Sequence, residues 1–234
     1  KEALLMSEVT TRLKEVQNRI EAARMRSPYH QDVTLVAVTK FHPVSEMKEV
    51  IAQGVTQVGE NRVQEMEEKY EFLSQEPITW NLQGHLQKNK VKKAVAMADL
   101  IQSGDSISII QEIDKRAGQI GKVQDVLLEF NISGEETKTG IEPDAFEEAV
   151  EAAKALPNIR VCGLMCMAPE FGDLEKTRPV FREGHELYKL QKKFPEGQIH
   201  ILSMGMSHDF EIAIEEGANM VRIGTAIFGA RVYR

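Results

Sequence analysis

The chain has 234 residues, enough for one large domain and close to the usual size of an eight-fold β/α barrel, so a second full domain is not expected. Its 42% hydrophobic and 28% charged content is that of a globular protein, and no apolar stretch approaches the roughly 20 residues needed to cross a bilayer. A formal net charge of -7 opposes non-specific binding to nucleic acid or an anionic membrane, so any phosphate recognition has to be local and built from a few groups.

From Lys1 to Arg26 the residues Leu5, Val9, Leu13, Val16, Ile20 and Ala23 recur at three- and four-residue steps, the pattern of an amphipathic helix and not of a signal peptide; Ser27-Pro28 ends it. Thr34 to Lys40 is a short apolar run rich in β-branched residues, which reads as a strand buried on both faces. Phe41-His42-Pro43 follows, so strand, turn and helix succeed one another with Lys40 at the strand's carboxyl end. A helix from about Ser45 buries Met47, Val50 and Ile51 and stops at Gly54. Val55 to Gly59 is the second predicted strand, with the polar cluster Glu60-Asn61-Arg62 at its carboxyl end and a charged helix through Leu73. Ile78 to Gly84 is the third, followed by the basic helix Lys88 to Lys93; in an acidic protein without interleaved aromatics this reads as a solvated outer face.

Asp99 to Gln102 is the fourth strand, with a helix from about Ile107 to Ala117 closed by Gly118. Val126 to Asn131 is the fifth, and the polar loop Ser133 to Gly140 after it is more than a scaffold alone requires. Helix Pro143 to Leu156, strand Val161 to Met165, a longer helix over about Leu174 to Lys192, strand Ile199 to Leu202, a helix beginning near His208 and strand Met220 to Ile223 complete the chain. Eight strand-then-helix units imply parallel strands joined by right-handed crossovers. The expected fold is therefore α/β, a single-domain (β/α)8 TIM barrel preceded by an extra N-terminal helix. Cys162 and Cys166, roughly 13 Å apart along one strand, are too distant for a disulfide or a shared zinc, and read as core fillers of a cytoplasmic protein. The acidic, patch-poor composition favours a monomer over an oligomer.

In an α/β barrel the carboxyl ends of the strands carry the chemistry. An ammonium group is costly to bury unless it is paired, used as a neutral amine or consumed in an imine, which makes Lys40 a Schiff-base candidate; the alternative is a strand-end lysine reaching into solvent. Ser203-Met204-Gly205-Met206-Ser207 leaves the seventh strand with a glycine for close approach, two hydroxyls and the N–H groups of a helix start. Gly224-Thr225 repeats the offer beside Arg222, where barrels commonly bind phosphate. A phosphate site opposite a buried lysine suits a phosphorylated aldehyde, of which pyridoxal 5′-phosphate (PLP) is the obvious one. A Schiff-base aldolase acting on a sugar phosphate would use the same two features.

Several ordered stretches now carry a resemblance: Leu35-Val36-Ala37-Val38-Thr39-Lys40, Gly59-Glu60-Asn61-Arg62-Val63-Gln64-Glu65, Gly84-His85-Leu86-Gln87-Lys88-Asn89-Lys90, Asn131-Ile132-Ser133-Gly134-Glu135, Gly163-Leu164-Met165, Leu202 to Ser207 with Asp209, and Val221 to Gly229. From about Leu35 to Arg231 the chain resembles the family of PLP homeostasis proteins, PLP-binding barrels similar to the N-terminal domain of alanine racemase. The resemblance implies that Lys40 forms the internal aldimine, that Ser203, Gly224 and Thr225 hold the phosphate, that Arg222 faces the pyridine nitrogen and that Asn61 belongs to the same pocket; Gly205 joins these cofactor-binding candidates as the glycine of the loop after the seventh strand. It further implies a non-enzymatic protein that binds, buffers or delivers PLP and affects vitamin B6 and amino-acid balance, with apo PLP-dependent enzymes as partners. One stretch departs: where the family often has Trp-His-Phe-Ile-Gly, this chain has Trp80-Asn81-Leu82-Gln83-Gly84.

The racemase alternative needs a second acid/base on the opposite cofactor face, which in racemases is a tyrosine from another domain and subunit. No such domain is expected here, and Tyr29, Tyr70, Tyr188 and Tyr233 are predicted away from the strands' carboxyl ends. A permanently charged arginine at the pyridine nitrogen also disfavours its protonation and weakens the ring as an electron sink.

Overall fold

The computed structural model describes residues 6–136 and 139–230; of the residues named above, Lys1, Leu5, Arg231 and Tyr233 and part of the loop after the fifth strand (Thr137, Lys138) lie outside the described residues. Helix α1 (Glu8–Arg26) is capped by Ser7, whose hydroxyl accepts the Thr10 N–H at 3.1 Å. Eight strand-then-helix units follow: β1 (Thr34–Val38), α2 (Val44–Ala52), β2 (Gln57–Glu60), α3 (Val63–Leu73), β3 (Thr79–Leu82), α4 (Val91–Met97), β4 (Leu100–Gly104) and α5 (Ile107–Gln119) make the first half. The second half is β5 (Gln124–Glu129), α6 (Phe146–Lys154), β6 (Ile159–Met165), α7 (Arg178–Leu187), β7 (Ile201–Ser203), α8 (Phe210–Glu215), β8 (Met220–Ile223) and α9 (Thr225–Phe228). The strands pair in parallel and in chain order, and β8 pairs back onto β1 from Thr34 with Met220 to Ala37 with Ile223, so the sheet closes into the expected barrel.

Three apolar layers hold it. The largest lies between the barrel and α2 to α7. The stripe of α1 (Val9, Leu13, Val16, Ile20, Ala23) forms the second with Phe210, Ile214, Ile227 and Phe228 of α8 and α9, which explains the helix added before the barrel. The third, Val36, Leu100, Leu127, Cys162, Met165 and Met220, is drawn from five strands around the closed sheet and fills part of its interior. Both cysteines are buried and free, and burial pushes the Cys162 thiol up to about 11 and the Cys166 thiol up to about 12. No helix among the described residues is long and apolar enough to cross a membrane.

Local departures from the sequence expectation have local causes. The helix expected over 174–192 is divided into a 3₁₀ turn (Leu174–Thr177), α7 and a second 3₁₀ stretch (Tyr188–Lys193). Pro179 stands in the first turn of α7, where its missing N–H costs nothing, so the α-helical ladder starts there. The basic stretch opens as a 3₁₀ turn (Lys88–Lys90) before α4, with Lys88, Lys90, Lys92 and Lys93 exposed and Val91, Ala94 and Val95 turned inward. β2 runs on through Glu60, and β7 begins at Ile201.

Between β5 and β6 the register slips: Val126 pairs with Val161 but Leu127 with Gly163, leaving Cys162 as the extra residue of a bulge. Gly163 in turn lies so close to β7 that a Cβ there would overlap the Ile201 carbonyl oxygen, a backbone atom that cannot move alone. Gly163→Ala is expected to cost about 3 kcal/mol or more, seen as a lower urea midpoint; an unchanged midpoint would show that β6 and β7 can separate freely.

Candidate cofactor site

The carboxyl ends of the strands open onto a cavity of about 260 Å³, near the lower end of the range of small-ligand sites, roughly 300 to 1,000 Å³. Lys40 enters it just past β1, half-buried between buried Thr39 and exposed Phe41. Asn61 follows β2, and Gln83, Gly84 and His85 follow β3. Arg222 rises from β8 itself, with Gly224 and Thr225 after it. Met206, Ser207 and His208 form the wall after β7, while Glu129, Thr139, Met167 and Glu170 form the wall of β5 and β6.

Of the residues singled out in the sequence, Lys40, Asn61, Arg222, Gly224 and Thr225 share this cavity, whereas Ser203 and Gly205 do not line it. Ser203 is fully buried beneath Arg222: its hydroxyl accepts from Nη1 at 2.6 Å and donates to Gln102 Oε1 at 2.6 Å. Gly205 makes the turn after β7 at φ 105°, packed on Phe210 and Ala213, and its carbonyl accepts the Arg222 N–H at 3.0 Å. Both residues therefore support Arg222 and not the cavity surface. The rim position falls to Ser207, whose hydroxyl accepts the Ala226 N–H at 3.1 Å and ties the loop after β7 to the loop after β8.

Arg222 is 3% exposed, and a guanidinium so placed needs acceptors. Nη2 donates to the Cys166 carbonyl at 3.2 Å, and Nη1 begins a chain through Ser203 to Gln102. Gln102 Nε2 donates to Asn81 Oδ1 at 2.9 Å, and Asn81 Nδ2 donates to Gln57 Oε1 at 3.0 Å and the Val58 carbonyl at 3.2 Å. The chain thus crosses the barrel interior from β8 through β7, β4 and β3 to β2. Asn81, at the departing stretch, is a buried link in it and not a cavity residue. Burial pulls the Arg222 pKa down, opposed by Cys166, Glu129 and Asp209, and a guanidinium remains charged under that pull.

Gln83, His85, Glu129 and Thr139 join the cavity without having been singled out as site residues, while Ser207 is the second of the two hydroxyls read after the seventh strand. Each sits at or just beyond the carboxyl end of a strand or on the polar loop after β5, which is the signal available in the sequence. Gln83 Nε2 donates to Asn61 Oδ1 at 3.3 Å, joining two walls, and His85 Nδ1 lies 2.6 Å from the buried Asp105 Oδ2.

Across residues 12–232 the sequence matches the family described as alanine racemase, N-terminal domain. The pyridoxal phosphate homeostasis protein of Aquifex aeolicus is 45% identical over 224 residues, which cover 95% of this chain and 98% of that protein. The chain belongs to the pyridoxal phosphate homeostasis protein family. A solved member, PipY of Synechococcus elongatus with PLP bound, matches with a TM-score of 0.82 at 32% identity over 94% of this chain and 100% of that one. Alanine racemase of Clostridium difficile shares the fold alone, with a TM-score of 0.73 at 18% identity, over 95% of this chain and 56% of the racemase.

In this homeostasis-family barrel the cavity carries a carboxyl group that holds its proton close to neutrality. Burial pushes Glu129 up to about 7, against the hydrogen bond that its Oε2 accepts from Thr139 Oγ1 at 2.9 Å; Asp105 adds to the rise, and Arg222 and His85 oppose it. The folded-state value lies above the ordinary 4.5, so the native state binds the extra proton between those two values and loses stability as pH rises through that window. Glu129→Gln keeps an acceptor for Thr139 and removes the titration. It should match the parent near about pH 4 and exceed it by up to about 3 kcal/mol near about pH 8, measured by urea unfolding. A gap that does not change with pH would contradict this.

Proposed function

We propose that this chain binds PLP in the cavity at the carboxyl ends of its strands, and serves PLP homeostasis by holding the cofactor and handing it on to apo-enzymes, without catalysing a reaction of its own. One observation carries the reading: a half-buried primary amine, Lys40, and a buried guanidinium, Arg222, open into the same small cavity. Relatives named for PLP homeostasis, and PipY with PLP bound, support it.

The donor set suits that molecule. Bound PLP supplies an aldehyde carbon, with which a primary amine condenses with loss of one water. Lys40 would supply the amine. Ser207, Gly224 and Thr225 would hold the phosphate, with two hydroxyls on loops already bonded to each other. Gly224 also lets the turn after β8 lie tightly against β1, because a Cβ there would meet the Val38 carbonyl oxygen at 3.0 Å, two residues before Lys40. Asn61, braced by Gln83, would line the remaining wall. Arg222, fixed by Ser203 and the Cys166 carbonyl, would donate to a facing ring nitrogen and leave it unprotonated, hence a weak electron sink. That favours holding the cofactor over stabilising a carbanion. Two buried free cysteines fit a reduced cytoplasm.

The purified protein, supplied with PLP if necessary, is expected to show a visible absorption band that borohydride bleaches, leaving a pyridoxyl group on Lys40 by peptide mass. Lys40→Ala should lose the band and bind PLP roughly a hundredfold more weakly, through the phosphate alone. An unchanged band in that variant would sink the assignment, and no band in the parent would move the site toward a sugar phosphate. Incubation with amino acids in deuterated water is expected to leave their α-hydrogens unexchanged; appreciable exchange would argue for a racemase-like enzyme.

A further inference from the structure

The two peptide groups on either side of Lys40 are held by one buried ion cluster that lies outside the cavity. Lys69 of α3 is 7% exposed, and its Nζ donates to the Thr39 carbonyl at 2.6 Å, to Glu60 Oε1 at 2.7 Å and to Glu65 Oε2 at 2.7 Å. The Thr39 carbonyl belongs to the peptide that precedes Lys40. The peptide that follows it is held from the same cluster, because Glu65 Oε2 accepts the Phe41 N–H at 2.6 Å. The Thr39 carbonyl also accepts the His42 N–H at 3.0 Å, closing a tight turn around Lys40, and the Thr39 hydroxyl donates to Glu60 Oε1. Within that turn Phe41 takes φ 65°, the left-handed region that a bulky aromatic residue avoids unless its surroundings hold it there.

This arrangement is not what stability alone would select. Glu60 is fully buried, burial raises its pKa against the pull of Lys69 and Thr39, and among the described residues its Oε2 has no hydrogen-bond partner. A buried ion pair with an unsatisfied oxygen is commonly no better than well-packed apolar side chains of the same volume. What apolar side chains would not do is grip a carbonyl and an N–H on both sides of one residue. A lysine carries its amine on four rotatable bonds, so fixing both flanking peptides removes the backbone share of its freedom and sets the direction in which the chain leaves.

We propose that Lys69, with Glu60 and Glu65, is a positioning cluster that aims the Lys40 amine into the cavity from behind β1. The inference rests on the reading of Lys40 as the residue that links PLP. Lys69 does not line the cavity, so it acts through the backbone at Thr39 and Phe41 and leaves the phosphate end, formed by the loops after β7 and β8, untouched.

That separation supplies the test. PLP is compared with pyridoxine 5′-phosphate, which keeps the ring and phosphate but has a hydroxymethyl group in place of the aldehyde and cannot link to an amine. Ligand-stripped parent, Lys69→Met, Glu65→Ala and Lys40→Ala proteins are titrated with both compounds, and the appearance of the visible band on adding PLP is timed. Lys69→Met and Glu65→Ala are each expected to weaken PLP binding about tenfold and to slow the band, while pyridoxine 5′-phosphate affinity stays within about twofold of the parent. Equal loss for both ligands would mean general loosening of the barrel and overturn the inference, as would unchanged PLP affinity and rate. Should Lys69→Met fail to fold, Glu65→Ala decides alone, since it removes the Phe41 acceptor and leaves the Lys69–Glu60 pair. A band that survives Lys40→Ala would overturn the Lys40 reading and this inference with it; a band lost there but untouched by both cluster variants overturns this inference only.

Discussion

A guanidinium buried in a closed barrel sets the terms for the interior around it. Arg222 brings five N–H donors into a space that strands usually fill with aliphatic side chains, and each donor left without an acceptor would be destabilising by about 1 to 3 kcal/mol. The interior is divided accordingly. Val36, Leu100, Leu127, Cys162, Met165 and Met220 make one apolar patch, and Ser203, Gln102, Asn81 and Gln57 make a file of polar side chains passing hydrogen bonds from β8 to β2. Serine, glutamine and asparagine suit that file because each can accept on one side and donate on the other. Buried networks of this kind are stable only when their members find partners, and Arg222 finds acceptors in Ser203 of β7 and in the Cys166 carbonyl just past β6.

The cavity is thus framed by two polar systems with no residue in common. One runs inside the barrel and fixes the orientation of Arg222; the other lies between the barrel and α3 and grips the backbone around Lys40. Glu129 and Glu170 bring carboxyl groups to the wall of β5 and β6, next to the loops after β7 and β8. Under the proposed function, a small anionic ring compound carrying an aldehyde would meet an amine, a fixed cation and hydroxyl groups on separate strands, which is an arrangement for orientation. Arg222 and the loops joined through Ser207 are ordered by their own hydrogen bonds, so little ordering would be left for a ligand to impose on them.

Much of this was legible in the chain. The apolar runs at Thr34 to Val38 and Val126 to Leu128, and helical stripes such as Ile109, Ile110, Ile113 and Ala117, specify the alternation that leads to a parallel barrel. Lys40 and Arg222 stand out because charges at the ends of apolar runs need a reason to be there. Ser203 shows where such reading runs out: one residue decides whether a hydroxyl at a strand end looks into the barrel or onto its rim, and the register that decides it depends on neighbouring strands. Glu60 was hidden for a similar reason. It reads as part of a polar loop, but β2 extends through it and turns it toward Lys69, whose own position on a charged helix resembles any solvated lysine. Glu129 closes a run of aliphatic residues, and in a strand buried on both faces the alternation that would place it is absent.

The closure of β1 on β8 has a bearing on how the protein comes into being. Lys40 leaves the first strand of the ring, while Arg222, Gly224 and Thr225 belong to the last strand and the turn beyond it. Contacts between the two ends of a chain are the slowest to form and the last to become available during synthesis. A nascent chain on the ribosome can therefore display the lysine-bearing strand long before the wall formed by β8 and its turn exists. The cavity belongs to the finished ring, and the same few backbone hydrogen bonds that join its ends also mark the moment at which its walls are complete.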